Sequence, residues 1–154
     1  MATPYREGSM FAVPLRSGGY AVGIISRVSA DNSGGLLGYF FGPKLAAMPN
    51  GQISSDLKST NALRVLRFGD LLLSNQMWSV IGEITDWRRE DWPMPDFVRK
   101  DDISKKAWRA RYSEDDVCKL VGEWPEPYDS PLERDAVFGA GAVELLLTRL
   151  LNIS

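Results

Sequence analysis

A chain of 154 residues, 44% apolar and 25% charged, is long enough to bury one substantial core and too apolar for intrinsic disorder. Eighteen basic against twenty acidic residues give a formal charge of −2, the wrong sign of excess for a generic nucleic-acid binder. Histidine is absent and cysteine occurs once, which excludes imidazole triads, imidazole or all-cysteine metal sites and an internal disulfide.

In chain order, the first strong signal is Ser9 to Ser26, two apolar runs around the turn Arg16-Ser17-Gly18-Gly19. This predicts a β-hairpin. Met10, Ala12 and Pro14 alternate with Phe11, Val13 and Leu15, and neither set is charged, so both faces of the hairpin are expected to be covered. The second strand continues through Arg27 and Val28 into a turn at residues 31–35. Leu36 to Phe41 predicts a buried third strand, and the Pro, Gly, Ser and Asn content of 43–61 a surface connection with room for one helical turn. Imperfect alternation from Leu63 to Phe68 leaves strand and helix open there. Leu71-Leu72-Leu73, Ser74-Asn75-Gln76 and Met77 to Ile81 read as a second hairpin.

Asp86 to Phe97 breaks the pattern with charges and two prolines, predicting an ordered but irregular segment. Residues 107–112 set Trp108, Ala110 and Tyr112 against Arg109 and Arg111, as in a half-exposed strand; a helix starting near Asp101-Asp102 is the rival. Residues 112–135 then hold eight acids against Lys119 and Arg134, an acidic zone on a balanced body. Ser130-Pro131-Leu132-Glu133 has the spacing of a capping box with proline at the first helical position, predicting a helix from 130 to 151. The expected fold is a single α+β domain over 1–154. Its parts are a mainly antiparallel, strongly curved or barrel-like sheet (8–112), an acidic connector (113–129) and a packing C-terminal helix. No signal-peptide core and no run of membrane-spanning length occurs, so a cytoplasmic protein without a membrane partner is expected.

Candidate chemistry is sparse. Cys118 lacks a histidine base and lies among acids, so it is expected to be a half-buried small residue. Gly38 to Lys44 has glycines too close together, and aromatics too bulky, for a phosphate loop. Asp86 with Glu90, or the run Glu114 to Asp116, could pair as acid and base, but charge runs are usually solvated faces. No catalytic, cofactor or metal residue is assigned. Of the five tryptophans, Trp78 is expected in the core and Trp92 as a plug beneath a loop. Trp87 and Trp124 have charged or proline neighbours that keep them partly exposed, where tryptophan is a frequent binding anchor.

Gly8 to Leu15, Gly19 to Gly23, Arg67 to Leu71, Trp78 to Gly82 and Trp92 to Phe97, in this order and spacing, resemble the immunity protein 26 family of bacterial polymorphic toxin systems. The resemblance spans roughly residues 5–112 and rests on packing residues. It implies a non-enzymatic antidote that binds a cognate toxin encoded by a neighbouring gene. On that footing Glu114, Asp115, Asp116, Glu123, Trp124, Glu126 and Trp87 are the candidate partner contacts, with the acids filling the basic cleft of a nuclease toxin. Two other classes stay open. One is a small β-barrel nucleic-acid or peptide reader using Arg64, Arg67, Arg109 and Arg111; the other is a carboxylate hydrolase.

Overall fold

Apolar residues on both faces of the first hairpin determine the layering of the molecule. The structure, a computed structural model, describes residues 5–30, 34–50 and 57–152. Residues 31–33 of the turn expected at 31–35, and the stretch 51–56 of the connection after the third strand, lie outside the described residues. Strands β1 (Ser9–Pro14), β2 (Tyr20–Val28), β3 (Gly35–Leu45) and β4 (Arg64–Gly69) form an antiparallel meander. A short helix α1 (Leu71–Ser74) leads to β5 (Ser79–Glu83), followed by β6 (Phe97–Asp101), β7 (Lys106–Ser113), β8 (Asp116–Glu126), β9 (Val137–Phe138) and helix α2 (Ala140–Leu151). The first sheet has the order β5-β1-β2-β3-β4-β9 and the second β6-β7-β8. The fold is α+β and mostly antiparallel, as the sequence implied, but the sheet does not close into a barrel.

The two faces of the large sheet build two separate cores. Odd-numbered residues of β1 and their neighbours (Phe11, Val13, Phe40, Phe68) pack with Trp78 against Val143 and Leu147 of α2. Even-numbered residues of β1 and their neighbours on that face (Met10, Ile24, Tyr39) pack with Trp92 against Phe97, Ala110 and Tyr112 of the second sheet. The result is three layers: helix, large sheet, small sheet.

Gly23 lies between Phe11 and Phe40 in register, on the strand that separates them. Strands two apart stand about 9–10 Å from each other, yet the two rings meet edge to face at 5.8 Å because the glycine leaves the space over β2 empty. A Cβ at Gly23 would come within 2.3 Å of the Phe11 ring, which is itself stacked on Trp78 at 5.7 Å.

Four expectations are corrected. Leu71-Leu72-Leu73 is not the first strand of a hairpin but α1, with Leu73 buried and Leu71 exposed; β5 pairs with β1 instead. The acidic connector is largely a strand, β8, and Cys118 on it is exposed rather than half-buried. The last helix starts at Ala140, not at Ser130. The Glu133 carboxylate that would complete the capping box is drawn 2.7 Å from Arg64, and Ser130 donates its hydroxyl to Glu126. The backbone of 133–135 meanwhile pairs with Val98 on the edge of β6 through Val98 N to Glu133 O (2.8 Å) and Asp135 N to Val98 O (2.7 Å). Residues 127–138 thus form a strap running from the edge of β6 to that of β4, where β9 pairs in parallel. The strap inserts Asp135, its side chain 3% exposed, between the sheets, 2.5 Å from the buried guanidinium of Arg67.

Two stability outcomes follow from this packing. Gly23→Ala should lower the unfolding free energy by about 1–3 kcal/mol in urea titration, since the ring it displaces has nowhere to go; an unchanged midpoint would refute the close approach. Asp135→Ala should cost about 3–5 kcal/mol, because it leaves the Arg67 charge buried and unpaired.

Candidate partner-binding site

The site begins with a bulge. β2 and β3 pair Ile25 with Gly38 and Arg27 with Leu37, so Ser26 is an extra residue, and Ser26 and Arg27 both turn toward the second sheet. Arg27, 2% exposed, donates to Ser26 O (2.8 Å), Trp92 O (3.1 Å), Arg89 O (3.3 Å) and the carboxylate of Glu114 (2.7 Å). Ser26 Oγ donates to the same Trp92 carbonyl at 2.5 Å, and Tyr39, its phenol pushed up to about 12 mainly by burial, donates to Pro93 O. The irregular segment 86–97 is thereby tied down from below through its carbonyls. Arg89 continues the latch outward, bridging Glu7 (3.1 Å), Asp115 (3.2 Å) and the backbone carbonyl of Glu114 (2.7 Å).

These ties hold the β7–β8 turn beside an open groove of about 470 Å3 lined by Met94, Asp96, Arg111, Tyr112, Glu114 and Val121. Asp96 accepts both Arg111 nitrogens (2.9 Å each) and Arg109 (3.2 Å). Its carboxyl is held below the ordinary range, chiefly by the Arg111 hydrogen bond. The Arg111 guanidinium in turn lies 4.8 Å from the Trp124 ring. Among the described residues one side of β8 has no hydrogen-bonded strand neighbour, and Leu120 (44%), Val121 (55%) and Trp124 (43%) of this strand are exposed, Trp124 on the outer face and Leu120, opposite Tyr112, on the other.

The structure gathers some of the sequence-derived candidates and disperses others. Glu114 lines the groove, Asp115 is beside it, and Trp124 and Glu126 share the outer face of β8, Glu126 paired with Arg109 at 3.2 Å. Asp116 caps the Cys118 amide at 3.0 Å. Glu123 turns to the opposite face, 2.7 Å from Arg99. Trp87 is half-buried, stacked on Trp92 at 5.9 Å and covering Gly8. The acidic zone is therefore laced with arginines, and what the sequence counts as a net negative block is locally close to balanced. The four arginines of the proposed basic face are likewise spoken for: Arg64 by Glu133, Arg67 by Asp135, Arg109 and Arg111 by Asp96. Asp96 and Val121 were not singled out in the sequence. The only hint was the Arg109/Arg111 alternation, which calls for a counter-charge without saying where. Among the described residues no three His, Cys, Asp or Glu side chains are placed to hold a metal, and no helix is long and apolar enough to cross a membrane.

A family model for Immunity protein 26 matches residues 6–109, about two thirds of the chain. The chain belongs to the immunity protein 26 family. The matched span takes in the large sheet through β5, the latch segment and β6, and ends within β7; β8, the strap and α2 of this immunity protein lie beyond it. No curated protein and no solved structure matches the chain.

Asp96 sets a pH dependence. A carboxylate with a lowered folded-state value adds stability that is complete above its unfolded value, near 4, and is lost as pH falls through the folded one. Asp96→Asn should be less stable than the parent at pH 7, with the gap closing below about pH 4; a gap constant with pH would show that Asp96 contributes no charge pairing. Arg27→Met should cost about 1–3 kcal/mol in urea titration through the loss of its buried hydrogen bonds to Ser26 O, Trp92 O and the Glu114 carboxylate.

Proposed function

We propose that this protein neutralises a cognate toxin by occluding it, with the contact centred on the groove and the open side of β8. Leu120, Val121 and Trp124 are the apolar anchors. Glu114, Asp115, Asp116 and Glu126 form the polar rim, Glu123 lies on the opposite face beside Arg99, and Trp87 stacks on Trp92 within the latch segment. The observation that carries this reading is that three large apolar side chains stay exposed along a strand with one open edge among the described residues, next to a groove whose walls are held by ion pairs. Edge strands in monomeric proteins are normally blunted, and an aromatic on a prealigned guanidinium has the composition of an interface hot spot.

Because most of the acids already have arginine partners, affinity is led by apolar area, and charge mainly steers the approach. Asp115, 85% exposed at its side chain, and Asp116 are the acids best placed to meet a basic cleft such as that of a nuclease toxin. The nucleic-acid reading draws no support from four arginines that are each paired with a carboxylate.

With the purified toxin domain encoded beside this gene, Trp124→Ala should weaken binding at least about tenfold through faster dissociation, with an unchanged melting temperature. Asp115→Lys with Asp116→Lys should slow association and reduce its salt dependence. Affinity and rates unchanged in both variants would reject this surface as the contact.

A further inference from the structure

The four-residue tip of the β6–β7 hairpin, Asp102-Ile103-Ser104-Lys105, carries the most exposed large apolar side chain among the described residues: Ile103, at 96%. Partly exposed aliphatics scattered over a surface are ordinary. A β-branched residue held almost wholly in solvent at a turn is another matter, since Gly, Asn, Asp or Ser satisfies turn geometry better and nothing in this fold packs on the isoleucine.

The tip is also locked. Asp101 accepts the Ile103 amide (3.0 Å) with one carboxylate oxygen and the Ser104 hydroxyl (2.8 Å) with the other. Lys105 N closes the turn on Asp101 O at 2.9 Å, with Lys105 in the left-handed region at φ +58°. Tyr128 on the strap braces it from the side: its hydroxyl donates to Asp102, and the ammonium groups of Lys100 and Lys105 lie 5.4 and 5.2 Å from its ring. Both aspartates thus spend carboxylate oxygens within the turn and its brace, while Lys105 and Lys106 are exposed beside the isoleucine.

We infer that this tip is a second, preorganised anchor, and that Ile103 inserts into an apolar pocket of the partner whose edge carries carboxylates facing Lys105 and Lys106. The partner is the toxin, so the inference rests on the toxin-binding reading. It adds a contact on strands β6 and β7, apart from the groove beside β8. A locked loop loses little conformational freedom on docking, so burying one aliphatic side chain there translates into affinity more fully than on a mobile loop. The lysines add orientation against an acidic rim.

The test uses the full chain and the toxin domain encoded beside this gene, in a catalytically silenced form, with binding kinetics and melting temperatures measured in parallel. Ile103→Ala should weaken binding about tenfold, equivalent to about 1.4 kcal/mol, through faster dissociation and with no loss of thermal stability. Asp101→Ala keeps the isoleucine but frees the turn, and should weaken binding several-fold. Lys106→Glu should slow association more at low salt than at high salt. If the parent chain binds the domain and Ile103→Asp binds within twofold of it, the anchor is wrong, and it is wrong alone if Trp124→Ala still weakens the complex. If the parent chain does not bind at all, the toxin reading fails and the anchor falls with it.

Discussion

One buried ion pair joins the two sheets. Arg67 leaves β4, 6% exposed, and meets Asp135 on the strap; the same carboxylate accepts the Tyr112 hydroxyl at 2.7 Å and Arg99 at 3.0 Å. The guanidinium lies 3.8 Å over the Tyr112 ring and donates to Val117 O at 3.2 Å. The cluster therefore draws on β4, β6, β7, β8 and the strap at once. Desolvating such a pair offsets much of its attraction, so its contribution is better understood as register than as raw stability. An Arg67 that missed Asp135 would leave a charge among Phe97, Tyr112 and Val117, a penalty that works against slipped arrangements of the sheets.

Arg27 plays the corresponding part at the other side of the interface. The bulge at Ser26 aims it beneath residues 86–97, where its donors reach carbonyls that no strand satisfies. A segment with only a short 3-10 turn at Arg89–Asp91 is thus hydrogen-bonded into the fold through side chains rather than a ladder. The Arg89 bridges extend this order to the β7–β8 turn at the surface.

The consequence for function is rigidity on the outer side of the small sheet. Its inner face is committed to Phe97, Ala110 and Tyr112, and its edge at β6 is sealed by the strap. What remains is the open side of β8, the Asp96–Arg111–Trp124 row and the braced hairpin tip. Side chains already held in place would give up little entropy on association, which fits the contact proposed for this surface.

Much of the large sheet could be read from the chain alone. Uncharged alternation in β1 and β2 requires cover on both faces, and the two cores supply it; Trp78 and Trp92 are buried as their neighbours implied. The family could be read as well, because its signature is the packing order of that same sheet. Local signals failed where a distant partner offered more. The capping box at Ser130 lost its glutamate to Arg64, 69 residues away, and the leucines after Gly69 form a helix while β5 pairs with β1. The acidic block lost its apparent excess to arginines such as Arg27, 87 residues from Glu114. Hydrophobic periodicity acts over neighbouring residues and is written in the sequence. Charge pairing, strand-edge competition and the aim of a bulge depend on what lies alongside in space, and only the folded chain decides that.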